Sequence, residues 1–193
     1  MRKICAISFL ISVFSAIASA QLPSGGNAFF GYSYIHGQAF ANNSTVQATG
    51  GSAGMSGWET SAEGRYLPWL GVVADLDWHY GGRRTTGCVL FSGCNTFRLN
   101  AARDTLMFGP RVSTTYGKYR PFAEFLLGVG YQSDKGGGIS NSDLGLATAF
   151  GGGVDYTLLP AVALRGQLDA IHTSFFGKSQ FNPRLSLGIV FRF

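Results

Sequence analysis

Large apolar side chains recur at every second position along most of this 193-residue chain. Over residues 69–80 one face reads Leu70, Val72, Ala74, Leu76, Trp78 and Tyr80, and the other reads Trp69, Gly71, Val73, Asp75, Asp77 and His79. A period of two is the signature of a β-strand. It recurs over 29–36, 55–66, 104–116, 121–132, 146–158, 161–172 and 184–193, which makes eight strands. The 28 glycines argue against helices, since each one inside a helix costs ~1 kcal/mol relative to Ala. The chain is therefore read as all-β.

The next question is which face points inward. Each strand sets large apolar residues against Gly, Ala, Ser and charges. If the apolar face were the inside of a soluble barrel, the interior would have to hold Trp58, Tyr66, Trp78, Tyr80, Tyr116, Tyr131 and Tyr156 together with many aliphatic residues. An eight-stranded barrel has room for far less. The opposite arrangement fits, with small and charged residues inside and apolar residues outside in lipid. Only 13% of the chain is charged, whereas soluble domains carry roughly 25%. The connections alternate in the same sense. Leu67-Pro68, Gly117-Lys118-Tyr119 and Leu159-Pro160 read as tight turns, while 37–54, 81–103, 133–145 and 173–183 read as long polar loops. Short periplasmic turns with longer external loops are the plan of outer-membrane barrels. The expected fold is an eight-stranded antiparallel up-and-down transmembrane β-barrel, with Tyr66, Trp69, Tyr116, Tyr119 and Tyr156 at the turn end and Trp78 and Tyr80 at the loop end as interfacial girdles.

The first residues read as a leader. Arg2 and Lys3 precede an uncharged apolar run over 4–18, and Ala18-Ser19-Ala20 is a small-x-small cleavage site. The run is too short for a spanning helix, which needs ~20 residues. Residues 1–20 are thus expected to be a signal peptide and 21–193 the barrel domain. Cleavage lowers Lys+Arg from 15 to 13 against 10 Asp+Glu, a net charge of +3, too small to argue for nucleic acid. Export also places Cys88 and Cys94 in an oxidising compartment, where they are expected to form a disulfide.

The chain ends in Leu187-Gly188-Ile189-Val190-Phe191-Arg192-Phe193 and its first strand contains Phe29-Phe30-Gly31-Tyr32-Ser33-Tyr34. Both segments resemble small bacterial outer-membrane β-barrel proteins similar to the transmembrane domain of outer-membrane protein A. The resemblance implies location in the cell outer membrane of a Gram-negative envelope. It also implies that Phe191 and Phe193 form the signal read by the barrel-assembly machinery, that periplasmic chaperones escort the chain, and that lipid and lipopolysaccharide surround a monomer. It says little about activity.

Three constellations could carry chemistry. By parity, Glu59, Glu63, Arg65, Asp75, Asp77, His79, Arg111, Glu124, Asp155, Arg165, Asp169, Arg184 and Arg192 point into the lumen. Buried charges must pair, so the set reads as a charged network that plugs the barrel, with a narrow ion path as the alternative. His172 and Ser174, followed by Asn182-Pro183, resemble the motif of outer-membrane lipid A 3-O-deacylases, which implies a base and a nucleophile. Phe175 and Phe176 depart from that motif, and the last strand holds Ser186 and no acid. Finally, Arg83, Arg84, Arg98, Arg103, Lys135 and Lys178 outnumber Asp134 and Asp143 in the expected external loops, which suits the phosphates of lipopolysaccharide. His36, His79 and His172 lie far apart, so no metal or cofactor is expected. The expected role is structural or interactive within the envelope, without enzymatic activity.

Overall fold

A computed structural model describes residues 25–39, 42–43, 46–48, 51–89, 93–136, 139–175 and 178–193. The expected leader 1–20 and its cleavage site lie outside these residues. The strands are β1 (Gly25–Ala39), β2 (Asn42–Asn43), β3 (Val46–Ala48), β4 (Gly51–Arg65), β5 (Leu70–Val89), β6 (Gly93–Ser113), β7 (Tyr119–Gly136), β8 (Ile139–Leu159), β9 (Val162–Phe175) and β10 (Lys178–Arg192). β2 and β3 are short external strands, of which β3 adds onto the outer end of β5. The other eight form a closed barrel in the order β1-β4-β5-β6-β7-β8-β9-β10, all antiparallel. Closure falls between β1 and β10, in register from Asn27↔Arg192 to Ile35↔Arg184. Every strand of the wall thus has two neighbours, as a hydrocarbon environment demands.

The expected parity holds throughout. Outward residues such as Phe30, Tyr32, Trp58, Val72, Phe108, Leu127, Phe150, Leu168 and Leu187 are exposed, while at least one sequence neighbour of each is buried. Outward positions carry no charge from the tight turns up to the level of Trp78 and Tyr131. The first charge, Asp104, stands beside both in the ladder. From Leu70 to Tyr80, at ~3.3 Å per residue and a tilt of ~40°, the strand climbs about 25 Å, the height of an outer-membrane apolar band. Tyr66, Trp69, Tyr116 and Tyr119 ring the lower edge of the band, and Tyr80 and Tyr131 its upper edge.

At the lower end the β6–β7 turn closes on the Tyr116↔Tyr119 pair. Gly117 adopts φ +60°, the left-handed conformation that primed hairpin turns require and that only Gly takes without strain.

The upper end corrects the sequence reading. Residues 81–103, 133–145 and 173–183, expected as loops, are largely strand: β5 and β6 pair continuously from Leu70↔Val112 out to Val89↔Gly93. Above the apolar band the outward positions are polar too, so polarity no longer alternates and the periodic signal fades while the hydrogen-bonded ladder continues. The correction relocates two side chains. Arg103 and Asp134, expected on external loops, are buried in the lumen.

Because the outward face meets lipid, Leu187→Arg near mid-wall should destabilise the barrel by ~2–4 kcal/mol in phospholipid vesicles, read from guanidinium unfolding. The same change at Tyr80, at the upper edge, should cost ~1 kcal/mol or less.

Candidate functional site

Among the described residues, the barrel interior is the most elaborate polar site. It is built in three tiers, each held by inward positions of several strands.

The tier nearest the turns is centred on two arginines. Arg165 of β9 grips Asp155 of β8 with two hydrogen bonds, Nε to Oδ1 at 2.7 Å and Nη2 to Oδ2 at 3.1 Å. Its guanidinium carbon lies 5.2 Å from the Phe29 ring and 4.6 Å from the Phe122 ring. Arg111 of β6 donates to Glu124 of β7 at 2.7 Å and to Glu63 of β4 at 3.1 Å. Asn27 donates to the same Glu63 oxygen at 2.7 Å. Arg120, which the parity reading had not placed inside, donates to Ser113 at 2.6 Å and lies 3.7 Å from Glu63. Arg65 and Arg192 sit at the rim of this tier and are only partly buried; Arg192 donates to Thr157 at 2.9 Å.

The middle tier has a single cation. Arg184 of β10, wholly buried, donates to Asp169 of β9 at 2.8 Å and, through Nη1, to Asp75 at 2.8 Å and Asp77 at 2.7 Å, both on β5. Glu59 of β4 lies 3.5 Å from its Nε. One guanidinium thus bridges four carboxylates from three strands. Gln167 knits the surroundings together, donating to Glu59 at 3.2 Å, Glu124 at 2.9 Å and Asp169 at 2.8 Å. Ser186 donates to Glu59 and lies 2.9 Å from Ser33. Room for the carboxylates comes from glycines. A Cβ on Gly151 would collide with Asp169, and one on Gly71 would press on the Glu63 carboxylate.

The outer tier is looser. His79 lies between Asp77 (3.2 Å from Nδ1) and Ser33 (2.9 Å from Nε2). Arg103 donates to Gln132 at 2.9 Å, and its guanidinium lies 5.3 Å from the Phe175 ring. An apolar set packs among the charges: Ile35, Met55, Val73, Met107, Leu126 and Ile171. Alternation alone marks those positions as inward, but their residue type gives no sign that they join a polar lumen.

The structure therefore brings together eleven of the thirteen expected lumen residues as buried groups and leaves Arg65 and Arg192 at the rim. The other expected site is arranged differently. The Nε2 of His172 lies 2.6 Å from Oγ of Ser179, and Phe181 packs on the imidazole at 4.7 Å. Ser174 is the ladder partner of Ser179, so the hydroxyl that engages the imidazole comes from β10. That strand contains no Asp or Glu to orient it. Among the described residues no group of His, Cys, Asp and Glu is placed to hold a metal ion.

Searches by sequence return nothing: no protein-family model matches the chain and no curated protein does. Comparison with solved structures does. Ail, the attachment invasion locus protein of Yersinia pestis, solved with the heparin analogue sucrose octasulfate, is 16% identical with a TM-score of 0.58, covering 88% of this chain and 98% of Ail. Neisserial surface protein A is 15% identical with a TM-score of 0.59, covering 88% and 97%. The fold is that of the small outer-membrane barrels. A barrel of that fold is in agreement with the apolar wall. The outer membrane protease OmpT of Escherichia coli, 9% identical with a TM-score of 0.50 over 89% of this chain and 97% of OmpT, has a similar fold. The fold alone therefore assigns no activity.

Replacing Arg184 with Leu strands four carboxylates in the lumen. Breaking a buried ion pair costs ~3–5 kcal/mol, so urea unfolding of the refolded barrel should show a loss of at least that size. Arg165→Leu, which frees one principal carboxylate, should cost less.

Proposed function

We propose that this chain is a non-enzymatic integral outer-membrane protein that works through its external face, with the lumen serving as a packed core. The observation that carries the reading is the Arg184 knot. A guanidinium bonded to β5 and β9 from β10 crosses the lumen at mid-height, with Gln167 beside it and the Arg165–Phe122–Arg111 stack below. Moving an ion through would require breaking these pairs, each of which is costly to separate. What is left to engage other molecules is the outside.

There the β5–β6 hairpin projects well beyond the upper girdle, from Tyr80 to Val89. Its register sets Arg84 opposite Arg98, next to Arg83. The register brings these basic residues to one level of the hairpin, and phosphate or sulfate is the ligand chemistry that suits such a set. Lipopolysaccharide phosphates are the nearest such groups. The anionic sugar bound in the Ail structure supports the same chemistry. Cys88 lies directly opposite Cys94 near the tip of this hairpin. Facing Cα atoms in an antiparallel ladder are ~4.5–5.5 Å apart, within the range a disulfide spans. A disulfide there would pin the projecting hairpin. Removal of residues 1–20, escort by periplasmic chaperones, recognition of Phe191 and Phe193 by the assembly machinery, and a monomeric state complete the proposal.

Two measurements test it. Planar-bilayer recording should show no steady conductance; a conductance that changes in Arg111→Gln or Glu124→Gln would transfer the function to the lumen. Binding to immobilised lipopolysaccharide should weaken with salt and fall in the double variant Arg84→Glu, Arg98→Glu. For the cysteines, alkylation of the unreduced mature protein should leave both Cys88 and Cys94 unlabelled. Labelling of both would refute the bridge.

A further inference from the structure

The seam between β6 and β7 has an irregular stretch in the half of the wall nearest the turns. Its ladder runs down to Phe108↔Leu127 and resumes at Arg111↔Glu124. Between them lies Pro110, which has no N–H to donate. The outward side chains below the break are small: Val112 on β6, Thr114 just beyond it, and Pro121 and Ala123 on β7. Trp69 on one side and Phe125 and Phe150 on the other are large and exposed. The result is a groove in the lipid-facing surface. It consists of a hollow of about 410 Å³ beside Trp69 and a second of about 200 Å³ beside Phe150. The two share Val112 and Ala123 and so lie next to each other along the seam.

The groove leads down to the turn that joins the same two strands. The three tight turns cover residues 66–69, 114–118 and 160–161, and Lys118 is the only charged residue in them. Tyr116 and Tyr119 flank it, exposed by 83% and 56%, and bring hydroxyl donors to the same level. A cation and two phenols at the membrane edge, directly beneath an apolar channel, match the two ends of a lipid.

We propose that the β6–β7 seam is a binding site for one anionic glycerophospholipid of the periplasmic leaflet. An acyl chain lies along Pro110, Val112 and Ala123, and the phosphate rests at Lys118. The groove supplies shape and the lysine supplies headgroup preference. A smooth wall seam would supply neither. Charge complementarity selects the lipid over a second copy of the barrel, which would bring another Lys118 to the same place in a symmetric pair.

The test uses the refolded full barrel in micelles containing equal phosphatidylglycerol and phosphatidylcholine of identical chains, with retained lipid counted by native mass spectrometry. The unaltered protein should keep one phosphatidylglycerol in preference to phosphatidylcholine. Lys118→Glu should remove that preference by about fivefold, the weight of one cation near an anionic lipid surface, and Lys118→Arg should restore it. Ala123→Phe, which fills the groove from an exposed position, should reduce retention of both lipids; its folding is checked by heat-modifiable migration. Equal retention of the two headgroups by the unaltered protein would overturn the proposal, as would a preference that survives Lys118→Glu. A barrel dimer abolished by Ala123→Phe would assign the groove to a second copy and overturn it too.

Discussion

Everything in this structure follows from the need to pair every backbone group in a medium that offers no water. An open sheet edge in hydrocarbon costs several kcal/mol for each unpaired group. The eight wall strands meet that demand by closing β1 onto β10. Closure fixes the direction of every side chain at once, because alternate residues must then face lipid or lumen. The lumen of an eight-stranded barrel is only just wide enough for side chains. Long arginines, carboxylates beside glycines, and a few apolar residues line it.

The same limit explains why the lumen carries charge at all. Alternate positions cannot all be aliphatic without overfilling the interior, and small polar residues alone would leave it hollow. Arg184 is long enough to reach across from β10 to β5 and satisfies several acceptors when it arrives. The guanidinium carbons of Arg111 and Arg165 lie 4.4 Å and 4.6 Å from the Phe122 ring, so that ring serves as both packing and cation partner. A network of this kind is poor evidence for net stability, since desolvation offsets much of the attraction. What the geometry does show is a register dependence: Asp75, Asp77 and Asp169 meet one guanidinium in the strand pairing of this barrel.

Much of this was legible in the sequence where lipid imposes alternation. Glu59, Asp75, Glu124, Arg165 and Arg184 were placed inside by parity alone. Legibility ended at the membrane boundary. Arg103 and Asp134 stand just above the girdle, where outward residues such as Ser133 are polar too, so nothing in the pattern distinguishes a strand from a loop. Arg120 was missed for another reason. It follows the tight turn at Gly117 and lies next to Pro121, at the very edge of the periodic run. The His172 pairing could not be read because it depends on the cross-strand register: Ser179 reaches the imidazole from β10, whereas Ser174 shares its own strand. The groove at Pro110 depends on a missing ladder contact, and sequence shows only the proline.

The position of Arg184 on the last strand has a consequence for how the barrel comes to exist. Glu59, Asp75 and Asp77 belong to strands made early in the chain, and their counter-charge arrives only with β10. Until that strand docks, the nascent sheet carries acids that favour water and resist burial. Once it docks against β1, backbone closure and charge neutralisation occur in the same step. One strand thus completes both the backbone ladder and the charge balance of the lumen, so the barrel cannot have either without the other.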